Sequence, residues 1–394
     1  MIIGEVKAEI VLNSRNEPTI CFSVKTEKGT FKTSAPSGKS TGKYEAKQWN
    51  ESVLHDVRVL NQIKFWEIKN VSEIETVSKT YSEFIGANSR FVLEASLLKA
   101  LAREDGMELW ELLIDEKSKK MRKIPMPVGN AIGGGLHSSK DRKIREGPEF
   151  QEFLFIPNTK KFSDAVKLNE EAYELAGEML KKFDEHFKGE RNDEGAWKTH
   201  LANEHVLKIM YIVAKKFNLR LGLDVASSSF YDGFYHYSHN KLNDLTQVKF
   251  IQRLIEEYEL FYVEDPVDER EFYWFGKLLG EIDRSKTIIV GDDLTVTNYE
   301  RLNKAIKKNS INAIIIKPNQ NGSLFETKKV VDLAKKHGIK IILSHRSGET
   351  EDSTIADLAV AWEADFIKCG IYGPERRAKL KRLMEIERKI GKKH

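Results

Sequence analysis

The chain has 394 residues, of which 40% are hydrophobic, and its 64 basic and 60 acidic residues leave a formal net charge of +4. This length predicts one large domain and a smaller one. No apolar run reaches the roughly 20 residues of a membrane-spanning helix, and the balanced charge lacks the basic excess of a nucleic-acid-binding domain. We therefore expect neither a membrane nor a nucleic-acid partner.

The cysteines and the first residues bear on the cellular compartment. Cys21 and Cys369 are too few for a disulfide framework or a cysteine-rich metal site. Residues 1–6 lack the basic segment and the apolar stretch of a signal peptide. We therefore expect a cytoplasmic protein.

The first third of the chain changes from strand-like to helix-like patterns. Residues 3–12, 19–26 and 30–33 alternate in polarity and are separated by turn residues, which predicts a three-stranded antiparallel meander. From about residue 43 to 113 the apolar positions recur at steps of three and four, which predicts helices.

A charged segment without periodicity follows at residues 117–123. Because a domain boundary falls where no element is signalled, we place the boundary there. The prediction is an α+β domain over residues 1–120 and a barrel domain over residues 121–394.

The loop at residues 34–42 contains Gly38-Lys39-Ser40, which resembles the end of a nucleotide-binding P-loop. That motif needs a glycine five positions before Gly38, where this chain has Thr33. The spacing therefore disfavours a nucleotide site. A glycine-flanked hydroxyl loop can still close over an anion and offer backbone N–H groups and the Ser40 hydroxyl.

Six short apolar runs in the second half each end on a residue that can bind a metal, carry a proton or hold an anion. Their terminal residues, 23 to 40 positions apart, are Asp224, Glu264, Asp292, Lys317, His345 and Lys368. Each interval has room for one strand, one helix and two loops, which is typical of a β/α barrel. The ends of parallel barrel strands meet at one mouth, so these side chains are expected to converge. The alternative for any one of them is an ordinary polar residue at a strand end near solvent.

Several motifs together resemble the enolase family over nearly the whole chain. They are Asn13-Ser14-Arg15, the loop at 37–42, Gly86-Ala87-Asn88, the triple-glycine segment from Pro127 to His137, Gln151-Glu152-Phe153, Asp193-Glu194-Gly195, Glu264-Asp265-Pro266, Lys317-Pro318-Asn319-Gln320, and the strings that begin at Gly291 and Ser344. The resemblance implies the α/β class, with a modified (β/α)8 barrel capped by an N-terminal α+β domain. It also implies a homodimer or higher homo-oligomer.

The resemblance further implies Mg²⁺-dependent dehydration of 2-phospho-D-glycerate to phosphoenolpyruvate, the enolase step of glycolysis. This reaction removes a proton next to a carboxylate, and the enolase superfamily stabilises the resulting charge with Mg²⁺ beside a lysine or histidine base. By resemblance, one Mg²⁺ is held by Asp224, Glu264 and Asp292, and a second arrives with substrate and draws in Ser40. Lys317 is the implied base, its ammonium destabilised by Mg²⁺ and by Lys368.

The remaining implied roles concern the leaving group and the phosphate. Glu194 is expected to protonate the departing hydroxide, its protonated form favoured by Glu152. The resemblance assigns the other contacts to Lys368 for the substrate carboxylate, Arg346 and Ser347 for the phosphate, His137 and His345 for the leaving-group and substrate ends, and Gln151 for the pocket wall.

The chain departs from the usual enolase pattern near the predicted mouth, at Lys39, Gly133, Leu136, Ala196, Trp197, Pro318, Asn321 and Tyr372. Pro318 favours extended geometry at Lys317 and so fits a strand end. Two alternatives stay open for the mouth: Lys39 adds positive charge to a lid that closes over a phosphorylated acid, or Leu136 and Trp197 reshape the pocket around the leaving group. Three functions therefore stay open: an enolase, an enolase-like paralogue acting on another phosphorylated or anionic acid, and an inactive relative kept as a binding protein.

Overall fold

The computed structural model describes residues 1–38, 44–64, 67–115, 123–135 and 147–392. Its N-terminal part is the expected antiparallel meander, in the order β1-β2-β3. The strands are β1 (Glu5–Leu12), β2 (Pro18–Thr26) and β3 (Gly29–Ser34).

Four helices follow this sheet: α1 (Val53–Asn61), α2 (Val71–Tyr81), α3 (Ala87–Glu104) and α4 (Leu109–Leu113). Of these, α1 and α3 pack on the sheet. Fourteen of the 18 residues of α3 are buried. The Ser96 hydroxyl of this helix donates to the Phe22 carbonyl of β2 at 2.8 Å, while Asn88 accepts a hydrogen bond from Asn319 of the barrel at 2.9 Å. The helix therefore lies between the sheet and the barrel, which explains its burial on both sides.

The second part is a closed eight-stranded barrel, as predicted. Its strands are β4 (Met126–Gly133), β5 (Glu152–Ile156), β7 (Arg220–Asp224), β10 (Leu260–Glu264), β11 (Ile288–Gly291), β12 (Ala313–Ile316), β13 (Lys340–Ser344) and β14 (Phe366–Gly370). Pairing of β14 with β4 closes the barrel. β5 is antiparallel to both neighbours, so this strand begins at the mouth where the others end.

Short strands and an outer layer of helices complete the second part. β6 (Trp197–Lys198) pairs with β4, and β8 (Tyr235–His236) pairs with β9 (Lys241–Leu242). The helices are α5 (Phe162–Phe183), α6 (Asn203–Phe217), a 3-10 turn (Ser227–Phe230), α7 (Asp244–Tyr258), α8 (Phe272–Glu281), α9 (Tyr299–Lys307), α10 (Pro318–Asn321), α11 (Leu324–Lys336), α12 (Thr354–Ala361) and α13 (Pro374–Lys392). None of the described helices has the length and apolar character needed to cross a membrane.

The alternation of side chains along each strand places the polar residues in the mouth. Tyr262, Val290, Ile315 and Phe366 belong to a small core cluster that is separate from the larger core shared with the helices. Successive side chains of a strand point to opposite faces, so the residue two positions later lies on the same side. Glu264, Asp292, Lys317 and Lys368 each follow a member of this inner cluster by two positions and form a polar layer above it.

The predicted domain boundary largely coincides with residues 116–122, which lie outside the described part of the chain. The division into residues 1–120 and 121–394 therefore stays a prediction. Contacts between the two parts are well defined. The Ser14 amide donates to the Glu349 carbonyl at 2.7 Å, and Ser37 and Gly348 exchange backbone hydrogen bonds of 2.7 and 2.9 Å.

Candidate active site

Ten of the predicted site residues line one cavity at the mouth of the barrel. They are Gln151, Glu152, Glu194, Asp224, Asp292, Lys317, His345, Arg346, Ser347 and Lys368. Glu264 lies beside this group, in contact with Lys368. Ser40 and His137, with the substituted positions Lys39 and Leu136, fall outside the described residues, so their assigned roles stay predictions.

Lys368 is the central cation of the cavity. Its ammonium donates to Asp224 at 2.8 Å and to both oxygens of Glu264 at 2.9 and 2.8 Å, and it lies 3.2 Å from Glu152. Burial lowers the pKa of Lys368, but the surrounding carboxylates outweigh burial and raise the pKa well above its usual value. The sequence pattern places this lysine at a strand end, whereas it lies in the middle of β14, and its side chain reaches the mouth because it points inward.

Lys317 immediately follows β12 and pairs with Asp292, which immediately follows β11. The Lys317 backbone is extended, with φ −121° and ψ 99°, as expected for a residue before Pro318. Burial lowers the pKa of the Lys317 ammonium, but Asp292 opposes burial and the net pKa is raised. Arg346 and Lys368 act in the lowering direction, as the sequence argument expects for Lys368.

A compact group of buried carboxylates lies next to the lysines. One oxygen each of Glu264, Asp265 and Asp292 lie within 4.8 Å of one another. Asp265 was not assigned a role from the sequence, although it belongs to the quoted Glu264-Asp265-Pro266 string. Its carboxylate accepts the backbone N–H groups of Asp292 at 3.1 Å and Asp293 at 2.7 Å. Asp265 therefore shapes the turn that presents Asp292.

The cavity has more acidic than basic side chains. Seven carboxylates line it: Glu45, Glu152, Glu194, Asp224, Asp265, Asp292 and Asp293. The three cations in the lining are Lys317, Arg346 and Lys368. Burial, followed by the neighbouring carboxylates, raises the pKa of Glu264 and Asp265 well above the usual range and that of Asp293 to about 8.

Such raised pKa values mean that additional positive charge would stabilise the group. Hard carboxylate oxygens at this spacing are the donors that Mg²⁺ prefers. The side chains present therefore fit a divalent cation at Glu264 and Asp292, with Asp224 and Asp265 beside them.

Glu152, Glu194 and His345 form a second titratable group. Glu152 begins β5 and pairs in register with Asp224, while Glu194 accepts a hydrogen bond from Asn130 at 3.1 Å. Burial and then the charge of Glu194 raise the pKa of Glu152 well above its usual value. The pair therefore holds a proton more tightly than an isolated carboxylate does, and the resemblance assigns that proton to Glu194.

His345 is neutral in this environment, because burial lowers its pKa well below the usual value. Its Nδ1 accepts from the Gly370 amide at 3.5 Å, which assigns the ring proton to Nε2. Nε2 lies 3.7 Å from a carboxylate oxygen of Glu194. His345 can therefore present an N–H group on the Glu194 side of the cavity.

Two arginines lie at the end of the cavity near the N-terminal sheet. The Arg346 guanidinium pairs with Glu45 at 2.9 and 3.2 Å. Arg15 donates to the Ser347 hydroxyl at 2.6 Å. Gly38 approaches so closely that a Cβ there would lie 1.9 Å from an Arg346 nitrogen. Glu45 and Arg15 carry no sequence signal for this contact, since their proximity to residues 346 and 347 exists only in the folded chain.

Two further residues support this arrangement. Gln151 donates its side-chain amide to Asp224 at 3.2 Å, which agrees with its expected place in the wall. Arg376 of α13 is fully buried and donates to the carbonyls of Arg346 and Ser347 at 3.0 and 2.9 Å. This helix therefore holds the loop that carries Arg346 and Ser347.

One interpretation of the altered positions is wrong. Trp197 is absent from the cavity lining within the described residues and instead packs on Tyr173, with ring centres 5.0 Å apart, and on Gly177. The indole N–H donates to the Tyr173 carbonyl of α5 at 3.0 Å, so the side chain points towards α5 and does not reshape the pocket around a leaving group. Tyr372 also lies outside the described lining.

The backbone at two of the remaining altered positions is accommodated locally. Gly133 leaves space for Asn192, whose side-chain nitrogen would lie 2.1 Å from a Cβ at residue 133. Pro318 occupies the first turn of α10, where the missing N–H costs nothing.

The mouth of this closed barrel holds acid–base groups beside a carboxylate cluster. This combination is typical of β/α-barrel enzymes. A family model described as "Enolase, C-terminal TIM barrel domain" matches residues 121–394. The chain belongs to the enolase family, whose members are lyases.

Curated relatives extend the similarity over the whole chain. The chain is 39% identical to the enolase of Natronomonas pharaonis, over 98% of this chain and 99% of that protein. It is 37% identical to the enolase of Halorubrum lacusprofundi over 95% and 96%, and 34% identical to that of Archaeoglobus fulgidus over 100% and 98%.

Proposed function

We propose that this chain dehydrates 2-phospho-D-glycerate to phosphoenolpyruvate and water in a Mg²⁺-dependent reaction. The observation that carries the proposal is that Lys317, the Glu152 and Glu194 pair, and Arg346 all line one cavity. A base, an acid and an anion-binding cation are the three kinds of group that β-elimination from a phosphorylated acid requires.

Asp224, Glu264 and Asp292 are the proposed ligands of one Mg²⁺. When bound, this ion supplies positive charge that stabilises the negative charge developing on the substrate carboxylate. The raised pKa values of Glu264, Asp265 and Asp293 support a cation at this position. A second ion that arrives with the substrate and engages Ser40 is part of the same proposal.

Lys317 is the proposed base. Its side chain is buried beside two other cations, Arg346 and Lys368, which favour the neutral amine. Asp292 favours the ammonium form instead, so the balance of these charges sets how readily Lys317 accepts the α-proton. Lys368 is placed to pair with the substrate carboxylate, since its ammonium already contacts carboxylates from three directions.

Glu194 is the proposed acid that protonates the departing hydroxide, with Glu152 sharing its proton. His345 presents an N–H towards Glu194 and would orient this group. The predicted contribution of His137 belongs to the same end of the substrate. Arg346 and Ser347 are proposed to bind the phosphate, Arg346 through its two-pronged guanidinium.

A different phosphorylated or anionic acid as the main substrate has less support. Trp197 and Tyr372, the bulkiest substitutions among the described residues, are packed outside the cavity lining. An inactive binding protein has less support still, because the described lysines and carboxylates that the reaction needs all lie together at one cavity.

The test is phosphoenolpyruvate formation from 2-phosphoglycerate by the purified protein, with and without Mg²⁺. Turnover of about 1 to 10³ per second is expected, as for ordinary enzymes, and is expected to disappear on chelation. Lys336→Ala on the exposed surface of α11 serves as the matched control for Lys317→Ala. A folded protein that binds Mg²⁺ and forms no product would contradict the proposed substrate.

We also propose a cytoplasmic homodimer or higher homo-oligomer with a role in glycolysis. The support is the family membership, together with the described helices' lack of membrane-spanning character. Light scattering after size-exclusion chromatography tests the oligomeric state, and a mass of 45.3 kDa would identify the monomer.

A further inference from the structure

Glu194 lies at the centre of a tight turn whose two ends are paired. Arg191 and Trp197 form an antiparallel bridge. Inside the bridge the Asn192 amide donates to the Ala196 carbonyl at 2.9 Å, and the Asn192 side-chain oxygen accepts from the amides of Glu194 and Ala196, both at 3.0 Å. The position of Glu194 therefore depends on how the Arg191 and Trp197 pair is held.

The Arg191 guanidinium is stacked between two aromatic rings. Its central carbon lies 4.0 Å from the centre of the Trp197 ring and 3.8 Å from the centre of the Tyr372 ring. Trp197 is fixed in turn by stacking on Tyr173 and by donating its indole N–H to the Tyr173 carbonyl at 3.0 Å. Cation–π stacking of this kind favours one orientation of a planar guanidinium.

Hydrogen bonds connect the stack to the residue that follows Glu194. Arg191 Nε donates to the Tyr173 hydroxyl at 2.8 Å, and that hydroxyl donates to the Gly195 carbonyl at 2.7 Å. Burial raises the pKa of Tyr173 to about 12, so its hydroxyl keeps the donated proton at neutral pH. A displaced Arg191 would release the peptide adjacent to Glu194.

The same turn is in close steric contact with the end of β14. A Cβ at Gly195 would lie 2.5 Å from the Tyr372 carbonyl oxygen, and a Cβ at Gly370 would lie 2.5 Å from the Glu194 carbonyl oxygen. Gly195 also has φ +81°, which suits glycine. The turn therefore cannot shift towards β14, and the contacts of Arg191 with Tyr173 and Trp197 restrain it further.

We propose that Arg191 is a positioning residue for Glu194, and that Trp197 and Tyr372 form one clamp with it. The substitutions at residues 197 and 372 then maintain the acid in place and leave substrate choice unchanged. This inference rests on the proposed role of Glu194.

The clamp predicts a separation of two partial reactions. Lys317 immediately follows β12, and its side chain pairs with Asp292 rather than with a clamp residue of the described part of the chain. Removal of the α-proton should therefore survive loss of the clamp. Departure of the hydroxide needs a correctly placed Glu194, so this step should be lost when the clamp is lost. A displacement of about 1 Å at a catalytic group can cost on the order of 10²-fold in rate.

The experiment measures both reactions in the full-length protein with Mg²⁺. Solvent deuterium exchange at the substrate α-carbon and phosphoenolpyruvate formation are followed for wild type, Arg191→Ala and Tyr372→Leu. Because Tyr372 is 45% exposed, its removal should preserve folding even if Arg191→Ala does not. Tyr372→Phe, which keeps the stacked ring, and Arg253→Ala, which removes a cation–π contact with Phe250, are the matched controls.

In Arg191→Ala and Tyr372→Leu, kcat for dehydration is expected to fall by about 10²-fold, while KM and the exchange rate stay nearly unchanged. Both controls are expected to keep the wild-type kcat, KM and exchange rate. Parallel losses of exchange and dehydration, or no loss in Tyr372→Leu, would overturn the inference. Backbone hydrogen exchange at residues 192–196 supplies a second readout without substrate. Unchanged protection there in Tyr372→Leu overturns the clamp, whereas a wild type that neither exchanges the α-proton nor forms product contradicts the proposed function instead.

Discussion

Glu152 and Asp224 are register partners on the antiparallel strands β5 and β7, and the Lys368 ammonium lies 3.2 Å from the first and 2.8 Å from the second. All three side chains are buried. Two buried carboxylates that contact the same ammonium from neighbouring strands repel each other in a medium of low polarity. Lys368 is therefore required for the stability of the mouth as well as for the proposed contact with substrate.

Replacement of Lys368 by methionine is expected to lower the free energy of unfolding by about 3–5 kcal/mol, because it leaves buried carboxylates without their cation. Urea denaturation at neutral pH measures this loss. The double variant Lys368→Met/Glu152→Gln should recover part of it, since one repulsive charge is removed. Lys198→Met, at a surface ion pair with Glu190, is the control and should change little. A Lys368→Met protein as stable as wild type would contradict this account.

Gly38→Ala should weaken binding of the phosphate group. The new Cβ would lie 1.9 Å from an Arg346 nitrogen, so the guanidinium must move. We expect KM for 2-phosphoglycerate to rise about 10-fold to 100-fold, which corresponds to loss of one charged hydrogen bond. Gly280→Ala in α8, where a Cβ meets nothing within 4 Å, is the matched control. Equal KM values for the two variants would contradict the assignment of Arg346 to the phosphate site.

Lys317→Ala is expected to abolish exchange of the substrate α-proton with solvent while retaining Mg²⁺-dependent ligand binding. The reason is that the variant lacks the proposed base but keeps the anion-binding residues. Deuterium incorporation measured by NMR checks the first part, and calorimetric titration with 2-phosphoglycerate checks the second. Persistent exchange in the variant would show that another group takes the proton.

Asp292→Asn should reduce the stabilisation by Mg²⁺. A ligand that binds only the folded state raises the melting temperature by mass action, and the loss of one ligand charge weakens that binding. Wild type is expected to melt at a higher temperature with Mg²⁺ than with a chelator, and Asp292→Asn to show a smaller difference. Asp332→Asn, at an exposed ion pair with Lys328, should behave as wild type. A full Mg²⁺ response in Asp292→Asn would exclude this carboxylate as a ligand.

Glu94, which lies away from the active site, is expected to make the free energy of unfolding depend on pH. It lies in α3, accepts the Leu324 amide at 2.5 Å, and has a pKa raised by burial from 4.5 to about 7. Between these pH values the folded state binds a proton that the unfolded state has lost. The contribution is therefore fully present below pH 4.5 and is lost as pH rises through 7.

In a comparison of wild type with Glu94→Gln, the difference in unfolding free energy should change by about 3 kcal/mol between these limits, to the disadvantage of wild type at high pH. Chemical denaturation at several pH values measures it. Parallel stability curves for the two proteins would show that Glu94 has an ordinary pKa.

Much of the fold follows from local patterns in the sequence. The alternation at 3–12 and 19–26 predicts the meander because one face of each strand is buried. The terminal residues of the six apolar runs converge because parallel strands share a mouth, and two-residue alternation directs Glu264, Asp292 and Lys317 inward. Glu152 could be found only from its motif, because its strand runs in the opposite direction and begins at the mouth.

The sequence by itself determined the barrel, its polar mouth and the family, since these depend on periodicity and on contiguous motifs. Only the tertiary structure decided which charges meet. The pairing of Lys317 with Asp292, the contact of Glu45 with Arg346 and the outward packing of Trp197 all join residues distant in the chain, and burial sets the protonation of Glu152 and His345. Such contacts and their energies depend on distance in space and on exclusion of water, which no local pattern of residues encodes.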